Sequence, residues 1–295
     1  MAHPHHLDAE KSPAARPVAL VTGAARRIGR AIALELAHAG FDIALHHRGT
    51  GPQSFAEATA TAQDLRAAGA RVALFAADFA DPAATAALLP AIAEAFGRVD
   101  AVVNSASRFE YDNPATFDAA LLESMMRSNT AAPVTLAQAL ATQAAAQPAH
   151  ARVTPCVVNL LDQKLHNPNP DYFSYTLTKA ALAHATVLLA QALAPAVRVC
   201  GVSPGITLVS GPMDEQEFAR ARKLTALGRS STPEDIARAV RFLLESSAIT
   251  GVDLAVDGGQ HLVGQARDVL FLARDDAPSR LPSPPPGGAP ASAPT

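Results

Sequence analysis

The chain has 295 residues, 49% of them hydrophobic, and a formal net charge of −3. This length and composition suit one large α/β domain, and the lack of a basic run argues against nucleic acid or an anionic membrane surface as a partner. No apolar stretch approaches the ~20 residues that cross a bilayer and the N-terminus lacks a hydrophobic signal region, so we expect a cytoplasmic protein.

Seven short apolar segments alternate along the chain with longer, Ala-rich segments of helical character. In chain order they are PVALVTG, DIALHHR, RVALFAADF, VDAVVNSAS, TPCVVNLLD, VRVCGVSPG and DLAVDGG. Strands that are apolar on both faces and separated by helices are typical of parallel sheets with helices on either side. We therefore predict a single-domain α/β fold of the Rossmann type, a doubly wound sheet of about seven parallel strands with helices on both faces. Cys156 and Cys200 fall within two strands and are expected to be small buried hydrophobes, not a disulfide or a metal site.

The first strand runs into TGAARRIGR, where Gly23 and Gly29 bracket a turn that opens a helix. Glycine lets the backbone approach a pyrophosphate closely, and the helix N-terminus offers free N–H groups and the positive end of the helix dipole. The turn, with Arg27 and Ile28 inside it, is therefore predicted to bind a dinucleotide.

The second strand ends in ALHHRGT, a basic sequence where a protein that selects NAD commonly has an acidic residue for the ribose 2′-hydroxyl. Here the chain has His46, His47 and Arg48, with Thr50 close by. A guanidinium pairs with phosphate in a planar fork, so Arg48, assisted by His47, is predicted to bind the 2′-phosphate of NADPH.

Asp162 ends the fifth predicted strand, Tyr175 follows thirteen residues later, and Lys179 four residues after that. Residues four apart on a helix share one face, so we expect the Lys179 ammonium near the Tyr175 phenol. A free tyrosine titrates near ~10, and a positive neighbour together with an oxidised nicotinamide is expected to lower the pKa of Tyr175. Tyr175 is then a usable acid.

The two termini differ in composition from the rest of the chain. Residues 1–16 include His3, His5 and His6 but no apolar pattern, which predicts a flexible leader and not a built metal site. Residues 276–295 are predicted to form a disordered tail, because the nineteen residues from Ala277 include seven prolines and no aromatic residue. A Pro-rich ligand for another protein is the functional alternative for this tail. The domain is predicted to span 17–275.

From about Pro17 to Leu262 the sequence resembles the short-chain dehydrogenase/reductase family. Its motifs occur in the family's order and spacing: Thr22-Gly23-x-x-x-Arg27-x-Gly29, Asp78, Asn104-Ser105-Ala106-Ser107, Asn129, Tyr175-x-x-x-Lys179, Ser203-Pro204-Gly205 and Asp257-Gly258-Gly259. The resemblance implies an oxidoreductase that uses a nicotinamide cofactor.

Several residue roles follow from the resemblance. Asp78 would contact the adenine, Asn104 would support the central sheet and the cofactor, and Lys179 would hold the nicotinamide ribose. Asn129 would belong to the catalytic set. The other implied cofactor contacts are Ala106, Tyr175, Pro204 and Gly205.

Asp162 is a departure from most of the family, which has a serine thirteen residues before the tyrosine to donate a hydrogen bond to a substrate carbonyl. An ionised carboxylate cannot donate that bond, although a protonated one in a dry site can. Two interpretations remain open. Either the site is crippled, or its substrate is a nitrogen heterocycle that takes a proton on a ring nitrogen.

The second interpretation is favoured because the sequence resembles the pteridine reductase branch of the family at other positions. Arg27 matches a basic residue in the glycine turn of that branch, and Ser107 and Phe109 match its motif after the fourth strand, although Ser105 and Arg108 depart from it. The active-site positions of the branch also match: Asp162, Tyr175 and Lys179.

The resemblance therefore implies NADPH-dependent hydride transfer to a pterin-type ring, with Tyr175 donating a proton to the adjacent nitrogen and Asp162 orienting and reprotonating it. Arg27 and Ser107 would bind the polar edge of the pterin, and Phe109 would cover one face of the ring. An NADPH-dependent carbonyl or 3-oxoacyl reductase is the first alternative, and a non-catalytic NADP-binding module is the second. The resemblance also implies a homo-oligomer, a dimer or tetramer. The apolar run at 269–273 lies beyond the usual end of the family's sequences and is expected either to dock on a neighbouring subunit or to fold back on its own chain.

Overall fold

The computed structural model of the protein describes residues 16–146, 154–209 and 213–273. The leader predicted for 1–16 falls outside these residues except for Arg16, and the tail predicted for 276–295 falls outside them entirely. The domain limits of 17 and 275 therefore stay a prediction.

The described residues form one parallel sheet of seven strands, which confirms the predicted fold. The strands are β1 (Val18–Val21), β2 (Asp42–His47), β3 (Val72–Ala76), β4 (Ala101–Asn104), β5 (Cys156–Leu160), β6 (Arg198–Pro204) and β7 (Asp253–Val256). Their spatial order is β3-β2-β1-β4-β5-β6-β7, and every neighbouring pair is parallel. Each strand lies inside one of the seven predicted segments, and β1, β2, β4 and β5 are buried along their whole length.

Helices cover both faces of the sheet. They are α1 (Arg27–His38), α2 (Gly51–Ala67), α3 (Pro82–Phe96), α4 (Ala119–Met126), α5 (Ala132–Ala146), α6 (Phe173–Leu193), α7 (Glu215–Ala221), α8 (Pro233–Glu245) and α9 (Val269–Leu272). One core joins α1, α2 and α8 to the sheet, and a second core on the other face joins α3, α5 and α6. Side chains on both faces of the central strands are buried away from water. These strands therefore appear in the sequence as continuous apolar runs.

The strand order reverses between β1 and β4, so the loops that follow these two strands diverge and leave a crevice. In open α/β sheets, ligands bind in such a crevice at the carboxyl ends of the strands. Close to the strands the two loops approach each other. A Cβ on Gly23, which follows β1, would lie 3.1 Å from the Cα of Ala106, which follows β4. The fold therefore brings the glycine turn and the motif after β4 to one place.

The apolar run at 269–273 folds back on its own chain. Val269 and Leu270 are buried in a small third core with Met125, Tyr172 and Tyr175. This core lies beside the crevice, so the end of the described chain covers the predicted active site.

Two other features bear on the sequence-based expectations. Cys156 and Cys200 are buried as free thiols, as predicted. Among the described residues, no helix combines the length and the apolar character that crossing a membrane requires.

Candidate active site

A cavity of about 880 Å³ runs along the carboxyl ends of the strands. Its wall includes nearly all of the site residues that the sequence predicts: Gly23, Arg27, Ile28, Gly29, His47, Arg48, Asp78, Ala106, Ser107, Phe109, Asp162, Tyr175, Lys179, Pro204 and Gly205. Asn104 and Asn129 do not line it. Residues from distant parts of the sequence thus meet around one space large enough for a cofactor and a small substrate.

The glycine turn has the geometry of a cradle. Gly23 has φ of +65°, which favours glycine, and a Cβ on Gly29 would lie 2.4 Å from the carbonyl oxygen of Gly23. Arg27 also has a positive φ, +55°, although it carries a side chain. A side chain held at a positive φ carries a cost in backbone strain.

His46 supports the glycine turn through a hydrogen bond, and its ring is uncharged, so it offers no positive charge to a phosphate. Its Nδ1 accepts a hydrogen bond from the Gly23 N–H at 3.2 Å, and its Nε2 donates to the carbonyl oxygen of Ala77 at 3.0 Å. The ring stacks on Phe79 with centroids 4.3 Å apart. Burial lowers the pKa of His46 to about 4, so the imidazole is neutral at pH 7.

Arg48 is exposed at the end of β2, where the sequence predicts the cofactor's 2′-phosphate. Its Nε donates to Oδ2 of Asp78 at 3.0 Å. Burial raises the pKa of Asp78, but hydrogen bonds from the Ala80 N–H and from Arg48 outweigh it, so the pKa is lowered overall. The two predicted cofactor residues are therefore neighbours, and a phosphate would compete with Asp78 for the guanidinium.

Asn104 lies at the buried end of β4. Its Nδ2 donates to Oδ1 of Asn159 at 2.8 Å, and Nδ2 of Asn159 donates to Oγ1 of Thr186 at 2.9 Å. These hydrogen bonds connect β4 to β5 and α6, which fits the predicted role of Asn104 in supporting the sheet. The Oδ1 of Asn104 accepts no hydrogen bond from any described residue, which fits a group or water that binds beside it.

Asn129, which was predicted to belong to the catalytic set, does not line the cavity. It lies in a π turn, Arg127–Ala131, after α4. Its side chain makes two hydrogen bonds to the backbone of Arg108, of 2.8 and 2.9 Å, and its Nδ2 donates to Oγ1 of Thr178 at 3.1 Å. Asn129 thus ties the loop that carries Phe109 to helix α6.

Asp162 and Tyr175 form the centre of the site. The Tyr175 hydroxyl donates to Oδ2 of Asp162 at 2.9 Å, while the Lys164 N–H donates to Oδ1 at 2.9 Å. Burial raises the pKa of Asp162 above its usual 3.8. Burial and the neighbouring Asp162 carboxylate raise the pKa of Tyr175 well above 10. Both groups therefore hold their protons more tightly than they do in water.

Lys179 shares a helix face with Tyr175, as the spacing predicts. Its Nζ lies 5.6 Å from the centroid of the Tyr175 ring and donates to the carbonyl oxygen of Leu160 at 2.6 Å. Burial lowers the pKa of Lys179 to about 8. The pKa of Tyr175 was expected to fall beside both Lys179 and an oxidised nicotinamide; among the described residues alone, burial and Asp162 raise it.

Phe109 lies at the substrate end of the cavity with aromatic neighbours. It stacks on Tyr172 with ring centroids 4.2 Å apart and meets Tyr175 edge to face at 4.7 Å. Its side chain stays 41% exposed, so it is not a core residue. Tyr172, which the sequence analysis missed, has φ of +51° directly before α6, and no local pattern in the sequence indicates that conformation.

The wall also contains residues that the sequence analysis missed, among them Lys164, Asp268 and Leu270. They come from the turn after Asp162 and from the folded-back end of the chain. The remaining predicted substrate residues, Arg27 and Ser107, also line the cavity. Nη1 of Arg27 donates to the carbonyl oxygen of Val209 at 2.8 Å, and Ser107 is exposed.

Residues 23–261 match a family described as enoyl-(acyl carrier protein) reductase, adh_short_C2. Pteridine reductase 1 of Leishmania tarentolae is 34% identical, over 85% of this chain and 98% of that protein. The 3-oxoacyl-[acyl-carrier-protein] reductase FabG of Staphylococcus aureus is 30% identical, over 83% of this chain and 98% of that protein.

A solved structure has the same fold and a related sequence. FolM alternative dihydrofolate reductase 1 from Brucella canis, complexed with NADP, is 36% identical with a TM-score of 0.78, and the match covers 86% of this chain and 97% of that one. Together with the motifs around the cavity, these similarities settle the family. The chain belongs to the short-chain dehydrogenase/reductase family of oxidoreductases and has relatives in its pteridine reductase-like branch.

Proposed function

We propose that the protein is an NADPH-dependent reductase of a pterin-type ring, such as a dihydropterin, dihydrobiopterin or dihydrofolate. The observation that carries the proposal is the hydrogen bond between Tyr175 and Asp162 inside the cavity. A carboxyl group in this position suits a substrate that must take a proton on nitrogen, whereas most of the family has a serine here that donates to a carbonyl.

NADPH, when bound, supplies the hydride that reduces a ring C=N bond, and the nitrogen of that bond takes a proton. Tyr175 donates this proton, and Asp162, whose pKa is raised, passes a proton to the tyrosine through their hydrogen bond. Lys179, with its pKa near 8, carries a positive charge at neutral pH and stabilises the phenolate as the proton leaves.

The cofactor choice rests on the residues around the first two strands. The glycine turn has no room for a side chain at Gly29, Asn104 has a buried acceptor that no described residue satisfies, and Arg48 is exposed where a 2′-phosphate would bind. The related Brucella protein is an NADP complex, which supports NADP over NAD. We therefore assign NADPH as the cofactor, with Arg48 as the main determinant.

The substrate assignment rests on Phe109. One face of its ring is covered by Tyr172, and the side chain remains 41% exposed in the cavity wall. A flat ring system can stack on the exposed side, and stacking contributes about 0.5–1.5 kcal/mol beyond area burial. Arg27 and Ser107 also line the cavity and supply polar groups for the edge of a pterin.

A carbonyl or 3-oxoacyl reductase is the second candidate. The observation that favours it is the similarity to a 3-oxoacyl reductase over nearly the whole of that relative. Its chemistry is also possible here, because a protonated Asp162 can donate a hydrogen bond to a carbonyl.

The test measures the rate of NADPH oxidation with each of a panel of acceptors: dihydropterins, dihydrofolate, small ketones and a 3-oxoacyl thioester. The pterin assignment requires turnover of at least one dihydropterin with kcat/KM about tenfold or more above every ketone and thioester. Faster reduction of a ketone or thioester would instead establish the second candidate. No turnover of any acceptor alongside tight NADPH binding would favour a binding module.

The homo-oligomer and the cytoplasmic location stay predictions. Exposed apolar residues on α6, Leu177, Val187 and Leu188, are consistent with a subunit contact. Sedimentation of the purified protein tests the oligomeric state.

A further inference from the structure

A buried group of charges connects the end of the described chain to the Asp162–Tyr175 pair. We call residues 267–273 the C-terminal segment; it follows the part of the chain that the family match covers. Arg267 donates from Nε and Nη2 to the Asp171 carboxylate at 2.7 and 2.9 Å, and the Asp268 N–H donates to Asp171 at 2.8 Å. These bonds hold the segment against the loop before α6.

Lys164 is the link between this segment and the active site. Its backbone N–H donates to Oδ1 of Asp162, and its side chain is only 4% exposed. Nζ of Lys164 donates to the carbonyl oxygen of Asp171 at 2.5 Å and lies 3.3 Å from Oδ2 of Asp268. A buried ammonium needs a charged partner, and Asp268 forms its ion pair among the described residues.

The remaining contacts of Asp268 show that it serves two purposes. Oδ1 of Asp268 accepts from the N–H of Leu270 and so begins helix α9, while Oδ2 pairs with Lys164. An arginine in the same segment, Arg267, pairs with Asp171 and does not line the cavity. The side chain of Arg267 therefore anchors the segment, whereas the side chain of Asp268 contacts Lys164.

In the part of the chain that the structure describes, residues with titratable side chains approach Asp162 from three elements. Tyr175 and Lys179 approach from α6, Lys164 from the turn after β5, and Asp268 from the C-terminal segment. Lys179 lowers the pKa of Asp162 and Asp268 raises it, while burial has the largest effect. Asp268 also raises the pKa of Tyr175.

We propose that Asp268 is a positioning residue of the reaction: by fixing the Lys164 side chain, it holds the turn whose N–H orients the Asp162 carboxyl group toward Tyr175. Substitution of Asp268 then alters both the geometry and the charge around the proton-donating pair. The proposal rests on the proposed function only in taking this pair as the proton donor, and it holds for a pterin or a carbonyl acceptor.

The experiment compares Asp268→Asn with Arg267→Gln in the full-length protein. Asp268→Asn keeps the shape and an oxygen for the Leu270 N–H but removes the charge opposite Lys164. Arg267→Gln removes a charge from the same segment without touching Lys164. The first readout is the pH profile of kcat with the acceptor that the wild type reduces fastest, and the second is hydrogen exchange of the peptide that contains residues 162–166.

We expect Asp268→Asn to lower kcat about tenfold and to move the limb in which kcat falls with rising pH by about half a unit toward lower pH. The peptide that contains 162–166 should exchange faster in this variant, and Arg267→Gln, which loosens the segment but leaves the Lys164–Asp268 pair in place, should change both readouts much less. Lys164→Met, which removes the other partner, should also lower kcat, and adding Asp268→Asn to it should cost little more.

An unchanged pH profile in Asp268→Asn would overturn the proposal, and so would an equal shift in Arg267→Gln, since that would mean that any loosening of the segment has the same effect. If Asp268→Asn does not fold, Lys164→Met decides: wild-type kcat in that variant would equally overturn it. Hydrogen exchange needs no acceptor, so the proposal is tested even if dihydropterins are not reduced.

Discussion

The hydroxyl of Tyr175 donates to the carboxyl group of Asp162 across 2.9 Å. Burial is the main reason for the raised pKa of Asp162, which the hydrogen bond from Tyr175 lowers in part, and the Asp162 charge adds to burial in raising the pKa of Tyr175. In the reaction proposed above, this pair supplies the proton that the substrate nitrogen takes.

The first prediction concerns pH. Because the pKa of Asp162 is raised above 3.8, its proton is held below that raised value and lost as the pH rises through it. We expect kcat for reduction to fall with rising pH over this range, and Asp162→Asn, which cannot titrate, to lose this dependence.

Tyr175→Phe should lose most turnover and keep NADPH binding, because it removes a proton donor and little contact area. Initial rates across pH, with binding measured separately, check both; an unchanged limb in Asp162→Asn would assign it to another group.

The second prediction concerns cofactor choice. Arg48→Ala should weaken NADPH by about 1–3 kcal/mol and leave NADH almost unchanged, because only NADPH carries a phosphate for the guanidinium. Arg30→Ala is the matched control: Arg30 is also exposed and paired with an aspartate, Asp64, but lies outside the cavity wall. Titration calorimetry with both cofactors gives the affinities. Equal affinity of the wild type for NADPH and NADH would disprove the role of Arg48.

The third prediction concerns the aromatic wall. Phe109→Ala should raise KM for dihydropterins and lower kcat/KM by about ten- to a hundredfold, with little change in NADPH affinity or Tm. Phe117→Ala is the control, since Phe117 is 44% exposed and packs on Phe173 away from the cavity. Steady-state kinetics and thermal melting should distinguish the two variants, with the loss of kcat/KM confined to the Phe109 variant. A Phe109 variant that melts much earlier yet keeps its kinetics would make Phe109 a structural residue.

The fourth prediction concerns the strained arginine of the glycine turn. Arg27→Gly and Arg27→Ala both remove the guanidinium and should lower kcat/KM for dihydropterins alike. The glycine variant should be more stable than the alanine variant by about 1 kcal/mol, because the backbone has φ of +55° at this position. Chemical denaturation gives the free energies of unfolding. Wild-type kinetics in both variants would remove Arg27 from the substrate site.

The fold was predictable from the sequence because a parallel sheet buried on both faces leaves apolar runs that are short enough to recognise. The meeting of Gly23, Arg48, Asp162 and Tyr175 at one cavity followed from it, since parallel strands end at the same edge. Spacing also placed Lys179 on the face of Tyr175.

Long-range contacts were beyond the sequence. The pairing of Arg48 with Asp78 and of Lys164 with Asp268 joins residues with no local pattern between them, and the hydrogen bond from Lys179 to Leu160 depends on where α6 packs. The raised pKa of Tyr175 among the described residues depends on long-range contacts of the same kind. Burial and a carboxylate that hydrogen-bonds the phenol outweigh a cation whose ring distance is 5.6 Å.

The most direct test is Asp162→Ser, measured for NADPH oxidation with a dihydropterin and with a small ketone. This change gives the site the serine that most of the family has, and it removes the titrating partner of Tyr175. If the Asp162–Tyr175 pair delivers a proton to a ring nitrogen, kcat/KM for the dihydropterin should fall about tenfold or more while ketone reduction stays the same or rises. Dihydropterin reduction at the wild-type rate in this variant would contradict the role of the carboxyl group.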